Sequence, residues 1–197
     1  MRVAFGGLKG GVGKSTSATY VAAGLAGRDE PVVLIDSDPQ GSALRWAEQA
    51  DFPWLTVALP TKTIHRQVDQ LAGSKHVVID TPPGDLGIVS SAMRAVDTLV
   101  IPAQPTSADL NSLAETLSLA DDIAVATDLR VMILLTRVIK RTRAQVETRA
   151  ALVDAGLTVM EAEVPQSQEL ALAHGKKITS LGPYADVLDE LLAGGAR

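Results

Sequence analysis

The chain has 197 residues, enough for one domain with a substantial core and no need of covalent staples. It contains no cysteine, which excludes disulfides, thiolate metal sites, iron–sulfur clusters and cysteine nucleophiles. A formal net charge of −5 argues against a constitutively DNA-coated protein but leaves room for a local basic face.

The first apolar run, Arg2 to Phe5, predicts a buried strand. Because the chain enters it at once, no signal peptide is expected, and no apolar stretch approaches the roughly 18 residues that span a bilayer. A cytoplasmic protein with no membrane partner is the expectation. The strand runs into LKGGVGKST, and Ser15 to Leu25 then has the alanine-rich composition of a helix. A glycine-rich turn between a strand end and a helix N-terminus suits phosphate, because orphan N–H groups and the helix dipole both face it. Gly10, Gly11 and Gly13 let successive N–H groups curl around the anion, with Val12 between them and Thr16 closing the loop. Lys14 adds positive charge at the β/γ-phosphates, and Ser15 offers a hydroxyl to Mg²⁺. Leu8 stands where GxxxxGK[ST] requires its first glycine, so the pattern that fits is KGGxGK[ST], headed by a second lysine, Lys9. ATP with Mg²⁺ is therefore the expected ligand.

Further β-branched runs follow at Pro31 to Ile35, His76 to Ile79, Thr98 to Ile101, Val131 to Leu135 and Leu157 to Met160, separated by segments of helical spacing. Strands apolar on both faces and alternating with helices predict an α/β fold of the phosphate-loop NTPase kind, a mostly parallel sheet flanked by helices on both faces. Ligands of such sheets bind beyond the carboxyl ends of the strands. There the second run delivers Asp36 and Asp38, the third Asp80 followed by Thr-Pro-Pro-Gly, the fourth Gln104 and Thr106, and the fifth Thr136, Arg137 and a basic stretch. Asp80 has the position of a carboxylate that holds the metal, directly or through water. Asp36 and Asp38 share one side if the backbone stays extended, so Asp36 can face the metal shell while Asp38 orients the attacking water. Helix capping or turn initiation is the alternative reading of each aspartate. The segment after Asp80 is stiff at its prolines and permissive at its glycine, as a switch loop would be.

Toward the C-terminus, Thr142 and Gln145 have capping-box spacing, Arg143 and Glu147 form an i,i+4 pair, and Pro183 to Leu192 reads as an acidic, packed helix. His65, His76 and His174 lack metal-ligand spacing; Trp46 and Trp54 suit either packing or a partner.

KGGVGKST, VVLIDSDPQGSALRW, HVVIDTPPG, VIPAQPTSADL, LLTRVIKRTR and VPQSQELALAHGKKI together resemble, in order, the blocks of the ParA/MinD family of deviant-Walker ATPases, and within it the small ParA-type partition ATPases. The resemblance covers nearly the whole chain and is most specific in its first three blocks. It implies an ATP-bound sandwich homodimer in which Lys9 crosses to the partner's nucleotide, so that Lys9, Lys14 and Asp38 form the catalytic set. It also implies slow hydrolysis stimulated by a ParB-type or cargo-adaptor partner. ATP-dependent binding to nonspecific DNA, hence to the nucleoid, is implied with it. Candidate DNA contacts are Lys140, Arg141 and Arg143, within a basic window that also includes Arg130, Arg137 and Arg149, and a smaller separate pair, Lys176 and Lys177; a solvated helix face is the other reading of part of the window. Arg137, Pro165 and Gln166 match the adenine side loosely, where an ordinary turn serves equally. Cargo remains open between plasmid or chromosomal DNA and a protein assembly. A MinD-like relative would need a basic amphipathic C-terminal helix, and a dethiobiotin synthetase-like ligase would need substrate-binding polar residues that do not stand out.

Overall fold

The computed structural model describes residues 1–194, with the side chains of 107–111 outside the description; part of the VIPAQPTSADL block lies among these. Seven parallel strands form one sheet: β1 (Arg2–Phe5), β2 (Val32–Asp36), β3 (Leu55–Ala58), β4 (His76–Asp80), β5 (Thr98–Ala103), β6 (Arg130–Val138) and β7 (Val159–Pro165). Their order is β3-β2-β4-β1-β5-β6-β7, which puts β1 at the centre and makes the chain reverse its winding direction there. The loop after β1 thus opens into the crevice at the switch point, the one place where neighbouring connections leave in opposite directions.

Among the described residues eight helices accompany the strands: α1 (Lys14–Ala26), α2 (Ser42–Ala50), α3 (Ile64–Ala72), α4 (Leu86–Met93), α5 (Ser107–Ala124), α6 (Arg143–Asp154), α7 (Gln168–Ala171) and α8 (Tyr184–Gly194). Strand side chains alternate between two cores. Ala4, Ile35 and Ile79 pack with Ile64, Val89, Ala120 and Leu152 of α3 to α6. Val3, Phe5 and Leu34 pack on the opposite face with Ala18 and Val21 of α1, Trp46 of α2 and Leu188 of α8. Both faces being covered explains why the strands carry apolar residues at nearly every position.

The structure adds one strand to the six expected and extends three by two residues or more, β5 through Pro102 to Ala103 among them. Strand β3 is a four-residue edge strand, LTVA, exposed at both ends, and it lies within a short apolar run, Trp54 to Leu59, that the strand expectations above do not include. Strand β6 continues past Leu135 through Thr136 and Arg137 to Val138, with register irregularities against β7. Arg137 adopts φ 49°, a left-handed conformation that kinks the strand and exposes its side chain between two buried neighbours. Strand β7 runs to Pro165 rather than stopping at Met160. Its outer edge is closed by Glu190 of α8, whose two carboxylate oxygens each accept a backbone N–H, from Glu161 and Ala162 at 3.0 Å.

Candidate functional site

The phosphate loop follows β1 directly. A Cβ at Gly6 would stand 2.8 Å from the Leu99 side chain, and Gly11 and Gly13 have φ of 75° and 97°, so those positions need glycine for space or for backbone conformation. Gly10 needs neither: its φ is ordinary and a Cβ there would meet Pro83 only at normal contact distance. Leu8 likewise keeps φ outside the left-handed region, and this is why the absence of the first glycine is tolerated.

Four tethers hold the loop. Leu8 N–H donates to Thr116 Oγ1 of α5 at 3.3 Å, and Lys14 Nζ donates to the Lys9 carbonyl at 2.6 Å. Gln104 Nε2 donates to the Gly11 carbonyl at 3.4 Å, and Thr136 Oγ1 to the Val12 carbonyl at 2.9 Å. Three elements that sequence places about a hundred residues away thus fix a segment with little side-chain bulk of its own.

Carboxylates converge beside it because β2 and β4 are paired in register, Asp36 opposite Asp80. Ser37 locks the two strand ends together through its N–H and hydroxyl, both donating to the Asp80 carbonyl at 2.9 and 2.6 Å. Both Asp80 carboxylate oxygens are buried without a hydrogen-bond partner. Burial pushes its pKa up to about 8, against the Ser15 hydroxyl and the Lys14 charge, which favour ionisation. Burial likewise raises Asp36, but its oxygens are occupied: Oδ1 accepts Asp38 N–H at 3.1 Å and Oδ2 accepts Leu44 N–H at 2.8 Å in the first turn of α2. Asp36 therefore starts α2 whatever else it touches. Asp38 in turn accepts Gln40 N–H at 2.8 Å and remains partly exposed. Lys14, only 6% exposed, has its pKa lowered by burial while Asp80 and Asp38 raise it, so these three charges share one field.

The donor set fits a hard dication. The two buried Asp80 carboxylate oxygens have no partner within hydrogen-bond geometry, and the Ser15 hydroxyl that influences them is itself an oxygen such an ion would take. Among the described residues no three His, Asp or Glu side chains converge, so such an ion would complete its shell with phosphate and water oxygens, as Mg²⁺ does.

A cleft of about 670 Å³ opens from Gly13 and Thr16 toward the ends of β6 and β7. Arg137, Pro165 and Gln166, from separate blocks of the sequence, all line it, together with Ile139, Trp46 and His174. The basic window is divided by the fold. Arg130 begins β6 and Arg137 lies near its other end, about 23 Å away at strand rise. There Arg130 binds the Gly194 carbonyl at 2.6 Å and Thr98 Oγ1 at 2.8 Å. Arg149 is equally engaged, with Glu163 at 2.8 Å and the Met160 carbonyl. Arg137, near the end of β6, and Lys140, Arg141 and Arg143 after it stay exposed, Arg143 paired with Glu147 at 2.6 Å. Lys176 and Lys177 are exposed on a separate loop, which Trp46 holds by donating Nε1–H to the Lys176 carbonyl at 2.8 Å. Thr142 caps α6 by accepting Gln145 N–H, but the Gln145 amide turns to Glu163 instead of completing a capping box. His65 meets Ser91, His76 faces Glu30 and His174 reaches the Ser42 carbonyl, so no two histidines share a site. Trp46 is core; Trp54 stacks on Phe52 with ring centroids 4.2 Å apart.

The fold, the phosphate loop and the paired carboxylates are those of a nucleotide-binding family: the chain belongs to the CobQ/CobB/MinD/ParA nucleotide binding domain family, whose model matches residues 3–180. "Maintenance of carboxysome distribution protein A" of Gloeobacter kilaueensis is 43% identical over 113 residues, 55% of this chain and 51% of that protein. "Protein ParA" of Rhizobium radiobacter is 31% identical over 113 residues, again 55% of this chain and 51% of that protein. The chain thus spans about half the length of the curated relatives it matches. The solved structure of apo McdA from Cyanothece superposes with a TM-score of 0.79 at 18% identity, covering 96% of this chain and 98% of that one. Structural neighbours of the same fold hold ATP or ADP, some with magnesium. Among the described residues no helix is long and apolar enough to cross a membrane.

Proposed function

We propose that the protein is a ParA-type ATPase that binds ATP with Mg²⁺, closes into an ATP-dependent homodimer, and in that state binds nonspecific DNA. The observation that carries this reading is the meeting of buried Lys14 and Asp80 with partly exposed Asp38 beside the tethered phosphate loop. Gly10 to Thr16 receive the phosphates through backbone N–H groups and the α1 dipole, and Lys14 turns from the Lys9 carbonyl to the β/γ-phosphates. Asp80, Ser15 and, in the outer shell, Asp36 would hold Mg²⁺, which supplies charge neutralisation on the phosphate oxygens. Asp38, partly exposed at the same edge, accepts a hydrogen bond from the attacking water and orients it. Lys9 extends the site to the partner's nucleotide, and Arg137, Pro165 and Gln166 flank the base in the cleft.

On this reading DNA meets Lys140, Arg141 and Arg143 at the open end of β6, with Lys176 and Lys177 supplementary. Doubling such a patch by dimerisation adds about 0.9 to the log–log salt slope for each further phosphate neutralised, so an acidic monomer binds weakly and its dimer well. A ParB-type centromere-binding protein stimulates hydrolysis and release, and the cargo is plasmid or chromosomal DNA. A second reading, in which the same cycle positions a protein assembly, is favoured equally by the 43% identity to the carboxysome-distribution relative. Reversal of Lys140, Arg141 and Arg143 to glutamate tests the DNA step shared by both. The expected result is loss of ATP-dependent DNA retention with ATP-dependent dimerisation intact, and retention at moderate salt would refute the patch.

A further inference from the structure

Among the four tethers of the phosphate loop, the one from α5 touches the segment that departs from the ordinary pattern. Thr116 is 1% exposed, and its Oγ1 accepts Leu8 N–H at 3.3 Å while lying 3.3 Å from the Ser112 carbonyl, to which its own hydroxyl donates. With its proton directed to Ser112, the hydroxyl has a lone pair fixed toward Leu8. On the other side of Lys9, its carbonyl accepts the Lys14 ammonium. The Leu8–Lys9 dipeptide is therefore bracketed at its two ends, by α5 through an N–H and by α1 through a C=O.

The two brackets differ in what nucleotide does to them. Lys14 is the residue that β/γ-phosphate recruits, so binding draws the ammonium away from the Lys9 carbonyl. The Thr116 bond faces the interior and no phosphate competes for it. Gln104 and Thr136 hold Gly11 and Val12, beyond Lys9, and do not substitute for it.

We infer that Thr116 is a positioning residue: its bond to Leu8 N–H fixes the backbone of Lys9 in the nucleotide-bound state and so sets the lysine for self-association. This rests on the reading of Lys9 as a lysine that crosses to a partner's nucleotide. It also gives α5 a function in the site that no motif in the sequence announces, and it accounts for Leu8: a residue whose N–H serves α5 has no need of glycine's freedom to face the phosphate.

The test compares Thr116→Val, which keeps the shape and removes the acceptor, with Thr116→Ser, which keeps the acceptor, and with Lys9→Ala as reference. Nucleotide affinity is read by calorimetry, self-association with a nonhydrolysable ATP analogue by sedimentation, and Leu8 N–H protection by amide exchange. Thr116→Val is expected to bind nucleotide within about twofold of the parent, to associate about tenfold more weakly and to lose Leu8 protection, and Thr116→Ser to restore both. Unchanged association, or a proportionate loss of nucleotide affinity with it, overturns the positioning role. If the parent fails to associate, or Lys9→Ala associates normally, the crossing-lysine reading itself falls and takes this inference with it; that pattern is distinct from a defect confined to Thr116→Val.

Discussion

Asp80 offers the sharpest quantitative test, because its buried carboxyl has no partner within hydrogen-bond geometry. Its pKa is raised from 3.8 to about 8, chiefly by burial. The unfolded chain loses this proton near 3.8 and the folded chain keeps it to about 8, so folding takes up a proton between those values and stability falls as pH rises through the window. pH 7 lies about three units above the carboxyl's ordinary pKa of 3.8, and at about 1.4 kcal/mol per unit the cost of keeping the group protonated in the folded chain is on the order of 4 kcal/mol. Asp80→Asn removes that penalty and substitutes an amide whose unmet hydrogen bonds cost about 1–3 kcal/mol. Without ligand the variant should therefore unfold later than the parent at pH 7 to 8, by roughly 2–8 °C for a chain of this size. The advantage should vanish near pH 5, where the parent's own proton already neutralises the group. The assay is thermal unfolding of parent and variant from pH 5 to 8.5, with and without nucleotide and Mg²⁺. In the parent, Mg²⁺ with nucleotide should add stability that grows with pH; in Asp80→Asn the Mg²⁺-dependent part should disappear. A variant less stable than the parent at pH 8, or one with the parent's pH slope, would refute the reasoning.

Two more outcomes test the remaining roles. Lys14→Ala should weaken nucleotide binding at least a hundredfold, since it deletes the one buried cation of the loop; near-parent affinity in calorimetry would contradict its phosphate role. Asp38→Ala should bind ATP as the parent does but turn over at least a hundredfold more slowly and accumulate as dimer, measured by phosphate release and light scattering, whereas unchanged turnover would remove Asp38 from water positioning.

The phosphate loop was legible because its chemistry is local: glycines, Lys14 and Ser15 lie within one turn of chain, and strand and helix flank them. Asp80 was legible for a related reason, since a carboxylate directly after a buried strand has few other uses. Asp36 shows the limit. Its position at the strand end was readable, but its engagement with Asp38 and Leu44 N–H depends on how the chain turns into α2. Charge in a sequence window carries no direction, so Arg130 and Arg149 joined a basic cluster from which the strand length and Glu163 remove them. Thr116 acts across 108 residues and sits in an unremarkable helical stretch, which leaves pattern reading nothing to detect. Strand β3 did carry a signal, the short apolar run Trp54 to Leu59 between two prolines, but its half-exposed residues gain their place only by pairing with β2, which the run itself does not show.

Whether bound triphosphate converts an acidic monomer into a DNA-binding dimer is read by sedimentation velocity with ATP, ADP or a nonhydrolysable analogue, each with and without a nonspecific DNA duplex. A monomer is expected with ADP, a dimer with the analogue, and co-sedimentation with DNA only in the dimeric state and less at higher salt. A monomer under all three nucleotides, or equal DNA binding with ADP and the analogue, would contradict that conversion.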